Sequence, residues 1–175
     1  MDFQFYLEKL KSSDIFKRFI KENPRAYLCS GFFTLDKKAN DNQQHLDYFN
    51  SKSKKMFSFK LDQNPIGLLP VENFVFTEKN PPIKMPENLN FEFEEIEKLI
   101  RKRMQKEKIN KNIEKILLSI QKTREGGFVI GTVFISNLGM IKISYDLQKK
   151  EFTAFQKKSF FDLLKIVKKK DKIPK

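Results

Sequence analysis

The chain has 175 residues and a net charge of +13, which is enough length for one domain or for two small halves that share a core. Phenylalanine occurs 19 times and tryptophan is absent, so a phenylalanine-rich interior is expected. A single cysteine and a single histidine exclude an internal disulfide and a multi-histidine metal site, and they argue against a disulfide-stapled secreted scaffold.

The N-terminal segment does not resemble a signal peptide. Asp2 and Glu8 stand where a signal peptide needs a basic and then an uninterrupted apolar stretch. The longest apolar stretch, 128–135, is far short of the roughly 20 residues that cross a bilayer. We therefore expect no membrane span and a cytoplasmic location.

The first half, residues 1–62, predicts a helix followed by three antiparallel strands. Apolar residues at 15, 16, 19 and 20 have helical spacing, and apolar strand patterns follow at 27–35, 46–49 and 56–61. Residues 63–90 contain five prolines and predict a connection across the surface, with one short strand at 73–77 that joins the sheet edge.

The second half, residues 91–175, repeats this order. We predict a long helix over 91–122, with a bend or break between 106 and 112 because the apolar stripe changes phase there. Strands are predicted at 128–135, 141–145 and 152–155, and a short basic helix begins at Phe160. The predicted fold class is α+β: two helix-plus-three-strand units whose antiparallel strands and helices enclose one shared core.

The two units align at Gly31 and Gly131, which places Tyr48 and Tyr145 at matching positions. Duplication and the convergence of two ordinary meanders both explain the similarity. The hairpin at 143–152 resembles PepSY-type and cystatin-like modules, although their tryptophan at the start of the first strand and the threonine-glycine of their turn are absent. The resemblance implies a helix lying across a curled antiparallel sheet, and non-catalytic binding or regulation of other proteins.

Catalytic patterns are scarce in this sequence. Cys29 and His45 are the only residues that could form a nucleophile and base pair, and Cys29 lies in an apolar strand where free cysteine commonly serves as a small hydrophobe. No glycine-rich phosphate loop is present, since Gly126-Gly127 lacks the flanking pattern. We therefore expect no enzymatic activity, no cofactor and no metal site.

Two lysine groups are candidate contacts for nucleic acid or for an acidic partner: Lys52, Lys54, Lys55 and Lys60 in the first hairpin, and Lys165, Lys168, Lys169 and Lys170 near the end. The hairpin lysines interleave with Tyr48, Phe49, Phe57 and Phe59, but strand alternation predicts that Phe57 and Phe59 face the core. Only five of 35 basic residues are arginine, which disfavours a specific nucleic-acid reader. The leading hypothesis is a binding or adaptor domain with a protein partner; RNA or single-stranded DNA binding, and small-molecule binding between helix and sheet, are the alternatives.

Overall fold

The computed structural model describes residues 2–72, 81–89, 91–124 and 126–159, and the fold of these residues is α+β. Three helices and eight strands are present among them. In chain order they are α1 (Phe3–Ser12), α2 (Asp14–Glu22), β1 (Ala26–Asp36), β2 (Gln44–Asn50), β3 (Lys55–Lys60), β4 (Gly67–Pro70), α3 (Phe93–Lys106), β5 (Ile113–Thr123), β6 (Gly126–Ile135), β7 (Gly139–Asp146) and β8 (Glu151–Ser159).

The described strands form one antiparallel sheet in the order β4-β3-β2-β1-β5-β6-β7-β8. Each half therefore meanders outward from a central pair, β1 and β5. This pair is in register from Ser30, opposite Gln121, to Asp36, opposite Lys115. The sheet runs without interruption through both halves, and buried residues of both halves belong to one hydrophobic cluster.

The three helices lie on one face of the sheet, and local capping sets the ends of the first two. The Asp2 carboxylate accepts a hydrogen bond from the Phe5 amide at 2.7 Å, and the Ser13 hydroxyl accepts one from Phe16 at 3.3 Å. Ser13 thus starts α2 directly after α1, which the sequence analysis missed. Under the helices, the buried Phe33 ring lies 4.5 Å from Phe93 of α3 and thereby joins both halves.

The proline-rich connection enters the core at one point. Residues 26–29 of β1 have no partner in β5, and the Met85 amide donates to the Leu28 carbonyl there at 2.9 Å. Met85 is only 1% exposed, and the Tyr27 hydroxyl donates to the Pro82 carbonyl at 2.8 Å. Part of the connection therefore fills the space where the two central strands separate, rather than lying wholly on the surface. The predicted strand at 73–77 lies outside the described residues, among which β4 is the strand at this edge of the sheet.

The prediction of one long bent helix over 91–122 is wrong. The helix ends at Lys106, inside the predicted break, and the residues after the break form strand β5. An extra residue in β5 between Ile113 and Lys115 turns Ile113 toward the core, together with Ile116 and Ile120. This bulge gives a strand the three- and four-residue apolar spacing of a helix, while the β-branched isoleucines favour the strand.

The tandem helix-plus-three-strand units are also not found. Four described strands follow the helices in each half, so the predicted alignment is displaced by one strand. Gly31 lies in the first strand of its half and Gly131 in the second, while Tyr48 and Tyr145 lie in the second and third strands. These residues are therefore not equivalent in topology. The predicted basic helix from Phe160 lies outside the described residues.

Candidate binding surface

The second face of the sheet carries no helix in the described part of the chain, and we call it the open face. Strand register places on it the side chains that alternate with the core residues. Its central row, taken from β3 to β7, consists of Lys60, His45, Phe32, Ser119, Ile130 and Ser144. The open face is therefore a continuous surface across six strands.

Apolar side chains interrupt the polar residues of the open face. Ile130 is 43% exposed; Phe134 in the same strand, Leu117 in β5 and Phe32 in β1 are half-buried. One corner is closed, because Cys29, Phe49 and Met56 are buried together with the half-buried Tyr27. The solvated face of an antiparallel sheet is usually polar, so half-exposed apolar residues on it are informative.

Charges of the two signs are close together on the open face. The Lys115 ammonium lies 3.0 Å from the Asp36 carboxylate, and the Ser30 hydroxyl donates to Asp47 at 2.8 Å. Hydrogen bonds from the backbone amides of Ala39 and Lys38, with a contribution from Lys115, lower the pKa of Asp36 to about 2. At the far end of the face, the backbone amides of Lys149 and Gln148 donate to the Asp146 carboxylate and lower its pKa. With these lowered pKa values, the Asp36 and Asp146 carboxylates are ionised at neutral pH, and Asp36 offsets the charge of Lys115.

The predicted hairpin lysines do not form one cluster. Lys52, Lys54 and Lys55 are exposed at the turn between β2 and β3, whereas Lys60 lies at the opposite end of β3 beside His45. Five residues of strand separate Lys55 from Lys60 by about 17 Å. Lys165, Lys168, Lys169 and Lys170 lie outside the described residues.

The aromatic residues of this hairpin are not available for base stacking. Tyr48 and Phe49 are each 2% exposed and Phe59 is fully buried. The Phe57 ring packs 5.1 Å from Phe19 of α2. Stacking on nucleic acid requires an accessible ring face, and these rings are occupied by the protein itself.

Cys29 and His45 are engaged in different contacts. The Cys29 thiol donates to the Asp47 carbonyl at 3.3 Å, and burial raises the pKa of Cys29 to about 12. The His45 ring lies 6.0 Å from the Phe32 ring, and its Nε2 is 3.8 Å from the Asp62 carboxylate. A buried thiol that stays protonated at neutral pH is a poor nucleophile.

Metal and membrane features can be assessed only for the residues that the structure describes. Among them, no group of three or more histidine, cysteine, aspartate or glutamate side chains could hold a metal ion. No helix within the same ranges has the length and apolar character needed to cross a membrane.

The apolar residues of the open face were not among the predicted site residues, although Lys60 and His45 of the same face were candidates. The stretch 128–135 is apolar at almost every position, and the sequence analysis predicted it as a strand without assigning its side chains to a face. A strand with this pattern has apolar side chains on both faces, and this pattern could have indicated the apolar residues of the open face. Its helix-side residues Val129 and Val133 are fully buried, whereas Ile130 between them is 43% exposed.

Comparison with known proteins adds information on the fold alone. No family model and no curated protein sequence matches the chain, so the PepSY-type or cystatin-like resemblance stays a prediction. A crystal structure from Clostridium difficile 630, described as "a putative lipoprotein", is similar to this chain with a TM-score of 0.50 and 11% sequence identity. The similarity covers 83% of this chain and 91% of that protein.

Proposed function

We propose that this protein is a non-enzymatic binding or adaptor domain that engages a protein partner through the open face. The observation that supports this proposal is the group of partly exposed apolar residues around Ile130 on the open face, which no helix of the described residues covers. Exposed apolar residues with a polar surround are typical of protein interaction surfaces.

The size of the open face suits a protein partner. Six strands spaced about 4.8 Å apart span about 24 Å, and seven residues along each strand span about 23 Å. The resulting projected area is of the same order as the roughly 800 Å² that each partner contributes to a standard interface.

The chemistry of the open face indicates the character of the partner. Because acids such as Asp36 and Asp47 offset lysines such as Lys115 and Lys60, the face has no strong charge of one sign. A partner with a mixed apolar and polar surface and little net charge would be complementary. This argues against nucleic acid at the open face, because a polyanion requires a basic surface.

Nucleic-acid binding is the alternative function, and it would use lysines away from the open face. Lys52 and Lys55 are exposed at one end of the sheet, which permits contacts with phosphate. A salt titration separates the two functions. Binding to mixed RNA or single-stranded DNA should weaken steeply with salt if the lysines bind phosphates, whereas association through the open face should not.

We also propose a cytoplasmic location, and this part of the proposal does not depend on the open face. The lipoprotein description applies to the Clostridium difficile protein, and 11% identity carries only the fold to this chain. Fractionation of cells that express the full protein with an epitope tag tests the location. Recovery in the membrane or extracellular fraction would contradict it.

The binding proposal is tested with Ile130→Glu and a matched control, Leu138→Glu. Leu138 is 61% exposed at the turn between β6 and β7, so it accepts a charge without altering the open face. Proteins captured from an extract of the source organism are identified, and the purified partner is then titrated by calorimetry. We expect at least a tenfold loss of affinity for Ile130→Glu, corresponding to about 1.4 kcal/mol, and little change for the control. Equal loss for both variants, or no loss for either, would refute the assignment of the surface.

A further inference from the structure

A small pocket lies on the other side of the sheet, between the first turn of α3 and the end of β7. Its volume is about 120 Å³. The walls are formed by Phe91, Ile96 and Leu99, and the polar groups are Glu92, Glu95 and Tyr145. Leu147 and Lys150, from the segment after β7, complete its lining.

Tyr145 is the polar residue that makes this pocket unusual. Its side chain is 6% exposed and lines the pocket, where its hydroxyl reaches solvent and forms no hydrogen bond with another described residue. Burial, followed by the negative charges of Glu95 and Asp146, raises the pKa of Tyr145. A hydroxyl that opens into a pocket can exchange a bound water for a ligand group that donates or accepts a hydrogen bond.

The two carboxylates of the pocket also lack a basic partner. Within the described ranges, neither Glu92 nor Glu95 forms an ion pair, although Glu97 on the same helix pairs with Lys37 at 2.8 Å. The ammonium of Lys150, which lines the pocket, is not within ion-pair distance of either carboxylate. The carboxylates of two exposed residues and a hydroxyl oxygen without a protein partner therefore adjoin an apolar wall.

We propose that this pocket binds a primary alkylammonium group. The ammonium would donate hydrogen bonds to the Tyr145 hydroxyl and to the carboxylates, and the alkyl chain would contact Ile96 and Leu99. A cavity of about 150 Å³ accommodates benzene, so the present volume suits about five non-hydrogen atoms. Butylammonium has this size, and so does the side chain of a lysine. A free amine and a lysine of a partner protein thus share the required chemistry.

The first test compares butylammonium with two probes of similar size, 1-butanol and butyrate, by NMR titration of the full-length protein. For a ligand of five heavy atoms we expect a dissociation constant on the order of 1 mM for butylammonium. Binding of 1-butanol or butyrate should be at least tenfold weaker. Equal binding of 1-butanol would overturn the proposal, because it would show that the pocket selects only apolar volume.

The second test uses Tyr145→Phe with a matched control, Tyr48→Phe. Tyr48 is 2% exposed and its hydroxyl is also unpartnered, but it lies in the core away from the pocket. Tyr145→Phe should weaken butylammonium binding about tenfold, as expected for one hydrogen bond to a charged group, and Glu95→Gln should weaken it further. Unchanged affinity in both pocket variants, or an equal loss in Tyr48→Phe, would overturn the assignment.

Two further measurements are needed. The first distinguishes a free amine from a lysine side chain as the ligand, and the second distinguishes the pocket proposal from the open-face proposal. If Nα-acetyl-lysine methylamide binds as tightly as butylammonium, a lysine side chain of a partner fits the pocket; if it binds at least tenfold more weakly, a free amine is the ligand. Ile130→Glu should leave butylammonium binding unchanged, because Ile130 lies on the opposite face. Failure of amine binding therefore leaves the open-face proposal intact, and the converse also holds.

Discussion

The most informative perturbation of the sheet is the addition of one methyl group at Gly131. In β6, Gly131 faces the helices, and a Cβ atom there would lie 2.9 Å from the Leu117 carbonyl oxygen and 2.9 Å from Leu118 Cδ2. The third neighbour, Ile143 Cγ1, would be 3.0 Å away. Because one of these atoms belongs to the backbone of the paired strand, a rotamer change cannot relieve the contact and the strands must separate locally.

The same strand contains a control, Gly127→Ala, which we expect to raise the stability of the protein. At Gly127, which shares the helix-side face, an added Cβ would have its nearest contacts at 3.5 Å and 3.9 Å, both with Leu147. These are ordinary van der Waals distances. Replacing glycine by alanine without a clash stabilises a protein by about 0.4–1 kcal/mol, since the unfolded chain loses conformational freedom.

For Gly131→Ala, overpacking costs about 1–3 kcal/mol, which exceeds the gain from the unfolded chain, so we expect a net loss of about 1–2 kcal/mol. Urea unfolding followed by circular dichroism measures both variants. With an m-value of about 2 kcal/mol/M, the midpoint should fall by about 0.5–1 M for Gly131→Ala and rise slightly for Gly127→Ala. If Gly131→Ala is as stable as the wild type, the close packing of β5 against β6 is not as described.

Three further predictions concern single side chains. Phe33→Ala should cost about 3–5 kcal/mol in urea unfolding, whereas Phe32→Ala on the open face should cost clearly less; equal losses would contradict the assignment of faces. Because the folded pKa of Asp36 is about 2 against its usual 3.8, its stabilising effect is complete above pH 4 and is lost as the pH falls toward 2. Asp36→Asn should therefore flatten the loss of stability over that interval, and an unchanged pH profile would refute this. Cys29, whose pKa is raised to about 12 by burial, should react with a thiol reagent at pH 8 only after denaturation, and rapid reaction of the folded protein would exclude its burial.

The strands of this fold were largely predictable from the sequence because their apolar residues alternate between turns. The predicted strand patterns at 27–35, 46–49, 56–61, 128–135, 141–145 and 152–155 all coincide with strands in the structure. In contrast, β5 could not be recognised, because its bulge at Glu114 shifts the alternation and produces helical spacing. An irregularity of one residue in a strand is set by tertiary pairing, which local pattern does not contain.

The candidate surfaces were less predictable than the fold. Whether Ile130 is buried or exposed depends on which face of the sheet the helices cover, and the sequence does not specify that choice. The pocket near Tyr145 likewise arises from the packing of α3 against β7, two elements that are far apart in the chain. The core position of Phe59, however, followed directly from strand alternation in the hairpin.

The central pairing of β1 with β5 has a consequence for the folding kinetics. Among the described strands, all other neighbours in the sheet are consecutive in sequence, so their contacts form by closing short loops. Joining Phe33 to Leu118 instead requires closure of a long loop, which carries the largest entropic cost of any strand pairing here. We expect each meander to gain structure early and the two to associate late, so that docking of the halves limits the folding rate.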